Sequence, residues 1–253
     1  MSAEATVAAP PAAPLWGELR YSAELARLLA GSAFRAPTRR HDAQPVLLIP
    51  GFMAGDASLA VLRNWLRRRG HTVSMSGMLA NVDCAERIVT RLQRRVQRLA
   101  EQDGRSVVLI GQSRGGALAR ALAVRNPEHV SGLVMLGSPV RDSLAVSAPV
   151  MRTVRWLAAL GDLRIPGLFS TSCRDGACCE DFRADLSAPL APGVRSLAVH
   201  SRSDAIVDWR ACVDPHGQQV EVDSSHCGMS VHADVYRVLA GMLDAAKEDE
   251  WNG

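Results

Sequence analysis

The apolar run Ser106-Val107-Val108-Leu109-Ile110 passes directly into Gly111-Gln112-Ser113-Arg114-Gly115-Gly116 and then into the alanine-rich stretch Ala117-Leu118-Ala119-Arg120-Ala121-Leu122-Ala123. Few folds accommodate that order. The β-branched run reads as a buried strand and the stretch beyond it as a helix, so the residues between must turn the chain within a few steps. Glycine two positions to either side of Ser113 lets strand and helix approach with no Cβ between them, leaving the serine in a sparsely populated conformation with its hydroxyl exposed. The positive end of the following helix then faces the place where negative charge would develop. A glycine-rich turn with a bystander serine has similar letters; the strand before and the helix after favour a nucleophile.

Around this turn the chain alternates strand-like and helix-like segments. Val46-Leu47-Leu48-Ile49, ending in Pro50-Gly51, suits a central strand buried on both faces. A helix over 57–69, a strand over 72–75, a helix over 83–100, the strand 106–110, a helix over 115–125 and a strand over 130–136 follow in order. That rhythm predicts an α/β fold, a mostly parallel central sheet with helices on both faces. A helix over 16–29 precedes it. After Gly137-Ser138-Pro139 the rhythm breaks until a strand over 194–200, a helix near 206–212, a strand over 219–222 and a final helix over 229–243. The chain thus divides into a flexible tail at 1–14, a first part of the core at 15–139, a helical cap insertion at 140–193, a second part of the core at 194–246 and a charged tail at 247–253.

With 253 residues, 47% of them hydrophobic, the chain is long enough to bury one large core. The formal charge of +3 is too small to call for nucleic acid or an anionic membrane. Residues 1–14 lack the basic start and unbroken apolar stretch of a secretory leader, and no later segment has the apolar length to cross a bilayer, so a cytoplasmic protein without stable membrane insertion is expected unless a leader was removed. Cys84, Cys173, Cys178, Cys179, Cys212 and Cys227 show neither paired zinc-finger spacing nor a disulfide framework, so neither a metal nor a cofactor is expected. Cys212 and Cys227 flank neighbouring segments and could pair under oxidising conditions.

A serine hydroxyl needs a base within hydrogen-bond reach and a third group to orient that base. Where a serine sits on such an elbow, acid and base follow in the order Ser, Asp, His on loops behind later strands. Asp204 follows the strand 194–200, and His226 follows the strand 219–222. Asp204 also reads as a helix N-cap, with Asp208 and Asp142 competing for the acid role. His200, His216 and His232 are less well placed as the base. Donors for an oxyanion are expected from the N–H groups of Arg114, after the nucleophile, and Phe52, in the loop after the first central strand.

With Pro50-Gly51-Phe52, Gly111-Gln112-Ser113-Arg114-Gly115-Gly116, Ser201-Arg202-Ser203-Asp204-Ala205-Ile206-Val207 and Ser224-Ser225-His226-Cys227-Gly228-Met229 in order, the chain resembles α/β-hydrolase fold esterases and lipases over about 45–243. It looks most similar to a bacterial lipase-like branch carrying Pro-Gly-Phe where many lipases have His-Gly. The resemblance implies a metal-free serine hydrolase acting on carboxylic esters, small-molecule or lipid, through an acyl-enzyme. Acyl or peroxyacid transfer at the same serine and a catalytically silent binding module are the alternatives. Met53, Trp156 and Leu157 are the candidate substrate contacts, the last two from an apolar cap that would equally suit a core. Pro139, Gly161, Pro166 and Gly167 could bound a mobile lid. Arg87, Arg91, Arg94, Arg95 and Arg98 form one face of a helix whose opposite stripe is Ile88, Leu92, Val96 and Leu99; without interleaved aromatics this reads as a solvated face rather than a nucleic-acid surface.

Overall fold

The structure is a computed structural model that describes residues 15–35, 39 and 43–244, so the tails expected at 1–14 and 247–253 lie outside the described residues. Six strands form one sheet: β1 (Val46–Ile49), β2 (Val73–Met75), β3 (Val107–Gln112), β4 (Val130–Leu136), β5 (Arg195–His200) and β6 (Gln218–Glu221), in the order β2-β1-β3-β4-β5-β6. Every adjacent pair is parallel. The helices are α1 (Arg20–Ala30), α2 (Ser32–Arg35), α3 (Ala60–Arg68), α4 (Ala85–Asp103), α5 (Arg114–Arg125), α6 (Ala148–Asp162), α7 (Thr171–Asp175), α8 (Glu180–Ser187) and α9 (Ala233–Asp244).

Strands β1 and β3 are buried along their whole length, and the two-residue period of a strand sorts their side chains between two cores. Leu47, Ile49, Leu109, Leu133 and Met135 point toward α4, α5 and α8, joining Ile88, Leu92, Leu118, Phe182 and Leu186. Val46, Leu48, Val108, Ile110, Val134 and Leu136 point the other way, toward Leu28 of α1, Leu62 and Trp65 of α3, and Tyr236 and Leu239 of α9. Continuous apolar runs are what a sheet covered on both faces requires. The basic face of α4 is partly neutralised: Arg87 and Arg91 pair with Asp83, and Arg95 reaches the Met75 carbonyl.

Two expected helices are shorter than their sequence pattern. In 206–212 only a 3-10 turn, Trp209–Cys212, forms, because the Asp204 and Asp208 carboxylates take the backbone N–H groups of Ile206, Val207 and Arg210. In 229–243 a 3-10 turn, Cys227–Val231, ends at extended His232, and α9 begins after it. The break lets the chain turn out of the His226 loop before it packs on the sheet. The segment expected to form a cap, 140–193, holds α6, α7, a 3-10 turn (Ala177–Cys179) and α8.

One buried arginine ties α5 both to that segment and to the stretch before β6. Arg120, on α5, is fully buried with Asp214 and donates to both of its carboxylate oxygens, at 3.0 and 3.3 Å. Its Nη1 donates to the carbonyl of Asp185 (2.8 Å), and Nη2 donates also to that of Ala188 (3.0 Å), at the end of α8. Removing one partner leaves a charge and two carbonyls stranded. Arg120→Met is predicted to lower the unfolding free energy by about 3–5 kcal/mol in urea titrations, and a change under about 1 kcal/mol would show that this network does not hold α5 to α8.

Candidate active site

Ser113 sits between β3 and α5 with φ 53° and ψ −127°, in the left-handed half of backbone space where a non-glycine residue is held only by its surroundings. The surroundings are the glycines. A methyl on Gly111 would overlap the backbone of Gly115 and Gly116, and one on Gly115 would overlap the Ile49 and Pro50 carbonyls of β1. Arg114 is the first residue of α5, so its N–H has no partner within the helix and points toward the serine end. The Ser113 N–H donates to the Leu136 carbonyl at 2.7 Å, fixing the turn to the end of β4.

Asp204, behind β5, and His226, behind β6, meet at 2.6 Å between Oδ2 and Nδ1. Asp204 uses its two oxygens separately: Oδ1 accepts from Ile206 and Val207 N–H at 2.8 Å each, and Oδ2 is aimed at the imidazole. Its competitors are occupied elsewhere. Asp208 caps the turn at Arg210, Asp142 accepts from Leu144 N–H, and His200 stacks on Trp209 at 5.7 Å. Gly137, with φ 56°, passes beneath the imidazole, where a Cβ would lie only 3.2 Å from Nδ1.

The loop bearing His226 is held by residues that the sequence did not single out. Glu18 accepts from His226 N–H and Cys227 N–H, both at 3.0 Å; Glu24 of α1 accepts from Ser225 N–H at 2.8 Å and from Ser225 Oγ at 2.7 Å. The Gln112 side chain donates to the carbonyls of His226 (3.2 Å) and Cys227 (3.3 Å), joining base loop to elbow. On the other side, buried Asn81 donates to the Pro50 carbonyl at 2.8 Å and accepts Met53 N–H at 3.2 Å. The Arg114 guanidinium clasps Asn81 Oδ1 (2.6 Å) and the Asp83 carbonyl (2.6 Å); burial lowers its pKa to about 10, so it stays charged at neutral pH. Asn81 thereby links the loops of both expected oxyanion donors, Phe52 and Arg114.

Ser113 and His226 line one cavity of about 480 Å³, with Phe52, Met53 and Arg114 also in its wall. From the helical segment α6 contributes Val150, Thr153 and Val154, and Phe169 stands across from Phe52 with ring centroids 6.1 Å apart. The structure does not bring the two substrate contacts expected from α6, Trp156 and Leu157, into the cavity wall. Trp156 is 63% exposed and outside the cavity wall, and Leu157 is buried against Ala158 and Phe169. With 3.6 residues per turn, position 156 lies across the helix from the face that carries 150, 153 and 154.

Cys212 and Cys227 are both free thiols, and Cys212 turns to the Asp208 carbonyl at 3.7 Å. Cys173, Cys178 and Cys179 converge with the sequence-distant Cys84, so that the four sulfurs all lie within 4.8 Å of one another.

The profile of the serine aminopeptidase, S33, family matches residues 66–211, more than half of the chain. The protein belongs to this family of α/β hydrolases. No curated protein matches the sequence. Among solved structures, this α/β hydrolase is similar to a soluble variant of monoglyceride lipase from Saccharomyces cerevisiae in complex with a substrate analogue (TM-score 0.60, 14% identity, 82% of this chain and 89% of that one). It is also similar to Bacillus licheniformis lipase BlEst2 in mature form (0.58, 12%, 82% and 94%) and to the thioesterase domain from the curacin biosynthetic pathway (0.51, 15%, 82% and 93%). At such identities the likeness establishes the fold, in agreement with the six-stranded parallel sheet.

Burial alone would lower the pKa of the His226 imidazole, but the charge and hydrogen bond of Asp204, with Glu18 nearby, outweigh it and hold the value above that of an ordinary histidine. A base works only when neutral, so with His226 in the role of base that the sequence leads one to expect, activity of this α/β hydrolase is predicted to rise with pH through that elevated pKa. Glu18→Gln removes one of the raising charges. The acid limb of its kcat/KM profile is predicted to move to lower pH than in the wild type; a limb that stays in place would show that Glu18 does not act on the imidazole.

Proposed function

We propose that this α/β hydrolase cleaves carboxylic esters with an apolar acyl group, through an acyl-enzyme on Ser113. Ser113 Oγ attacks the ester carbonyl carbon while His226 takes the hydroxyl proton, and Asp204 holds the imidazole in the tautomer that leaves Nε2 free to accept it. The oxyanion is received by the N–H groups of Phe52 and Arg114. His226 then delivers the proton to the departing alkoxide. Water, deprotonated by the same imidazole, releases the acid and restores the serine. No metal or cofactor enters these steps.

The observation that carries the choice of ester over peptide is the character of the cavity wall. Its charged residues besides the imidazole are Arg114, Arg174 and Arg183, and none of the described residues lining it is a carboxylate. A peptide presented by its amino terminus brings an ammonium that needs an anionic partner once desolvated. Phe52, Val150, Val154, Leu144 and Phe169 instead offer apolar surface to an acyl chain.

The test is a series of p-nitrophenyl esters of increasing acyl length set beside aminoacyl p-nitroanilides, with wild type and Ser113→Ala run together. Esters should be turned over and anilides should not, and Ser113→Ala should lose more than about 10³-fold in kcat while keeping its folded circular-dichroism spectrum. Preferred cleavage of the anilides, or an alanine variant as active as the wild type, would overturn the proposal.

A further inference from the structure

The four converging cysteines come from two separate parts of the fold. Cys84 is the N-cap residue of α4, in the core, while Cys173 lies in α7 and Cys178 and Cys179 in the 3-10 turn before α8. The sulfur of Cys84 stands 3.5 Å from that of Cys179 and 3.6 Å from that of Cys178, and Cys173 is 3.4 Å from Cys178. A zinc ion bound by four thiolates has Zn–S distances of about 2.3 Å, which puts the corners of the tetrahedron about 3.8 Å apart. The four sulfurs are already gathered at that scale, all pairs lying within 4.8 Å. That spread suits one ion rather than a multi-iron cluster, whose cysteine ligands stand farther apart.

The surroundings suit thiolates. Cys84 is the N-cap of α4, so the backbone N–H groups of the helix's first turn, which have no partner within the helix, lie at the cluster. Helix N-terminal N–H groups favour negative charge and so favour thiolates beside them. Four thiolates around a divalent cation leave a net negative centre, and the side chains of Arg87 and Arg114 both interact with it electrostatically. Cys84 and Cys179 are buried, while Cys178 is exposed and offers an entry path.

We propose that Cys84, Cys173, Cys178 and Cys179 bind a single structural zinc ion that fastens the helical segment over the cavity to the N-terminus of α4. All four coordination positions are filled by protein, so the ion takes no part in the reaction. It acts on the shape of the cavity: Cys173 and Cys179 stand in the cavity wall, and Arg114 reaches the Asp83 carbonyl next to Cys84. The site is independent of which ester, or which reaction, Ser113 serves.

The experiment is elemental analysis of the full chain, made with zinc in the medium and purified under reductant without a metal-binding tag, beside Cys84→Ser, Cys178→Ser and, as control, Cys212→Ser. About one zinc per chain is expected in wild type and Cys212→Ser, falling below about one tenth in the other two. Cys178, being exposed, tolerates serine without a packing defect, so that variant decides the matter should Cys84→Ser fail to fold. Cobalt added to the zinc-free protein should give the charge-transfer and intense visible bands of a tetrahedral tetrathiolate. Wild type free of metal with four titratable thiols at the cluster, an intact mass showing two disulfides there, or iron in place of zinc would each overturn the proposal.

Discussion

The close approach of α5 to β3 and β1 is the constraint on which the rest of this molecule depends. Strand and helix can be this near only because positions 111 and 115 carry no side chain, and Gly116 in turn lets α5 pass Ser138 behind β4. That nearness sets the strained backbone of Ser113, the direction of the first N–H groups of α5, and the distance from the elbow to the loop behind β1 that carries Phe52. Strain of this kind persists only where neighbours hold it in place. Here the Leu136 carbonyl receives the Ser113 N–H, and buried Arg120 anchors the middle of α5 to Asp214 and, through the Asp185 and Ala188 carbonyls, to the end of α8.

The other half of the site is held from a distance along the chain. Glu18 and Glu24 lie more than two hundred residues before the loop they support, and their carboxylates accept four hydrogen bonds from Ser225, His226 and Cys227. One consequence is mechanical, since each bond fixes part of the loop that presents the imidazole. The other is electrostatic, since Glu18 adds to the Asp204 charge in favouring the protonated ring. Asn81 and the Arg114 side chain play the corresponding part around Phe52 and Arg114, the proposed oxyanion donors. A rigid frame around the reacting groups lets donors already aimed at a developing charge act without reorganising.

How much of this could be read from the letters follows from how local each signal is. The runs 46–49 and 107–110 are continuous and apolar and 130–136 is nearly so, and each belongs to a central strand covered on both faces. The elbow is legible because strand, glycines and helix are consecutive. Asp204 and His226 are brought together as the chain order implies, because each follows a strand whose carboxyl end opens at the same edge of the sheet. Helix 206–212 was misread because two aspartates compete for its backbone donors, a local effect that apolar spacing does not register. Trp156 stays out of the cavity wall because composition identifies an apolar helix without saying which of its faces meets a cavity, and Leu157, on the same face as Val150 and Val154, is covered by Ala158 and Phe169 instead. Glu18, Glu24 and Asn81 carry no motif; their roles exist only once remote segments are juxtaposed. The cysteines fail for the same reason: Cys173, Cys178 and Cys179 cluster in sequence, but their fourth neighbour, Cys84, stands about ninety residues away and is supplied by the fold.

The central claim is that Ser113 is the group that forms a bond to substrate. Labelling the intact protein with a fluorophosphonate, followed by mass spectrometry of its peptides, tests it most directly, because the reagent reacts only with a serine already activated by its base and oxyanion donors. The account predicts a single adduct on the peptide containing Ser113, strongly slowed in Asp204→Asn and His226→Ala and absent from Ser113→Ala. An adduct on another residue, or labelling that is indifferent to His226, would contradict it.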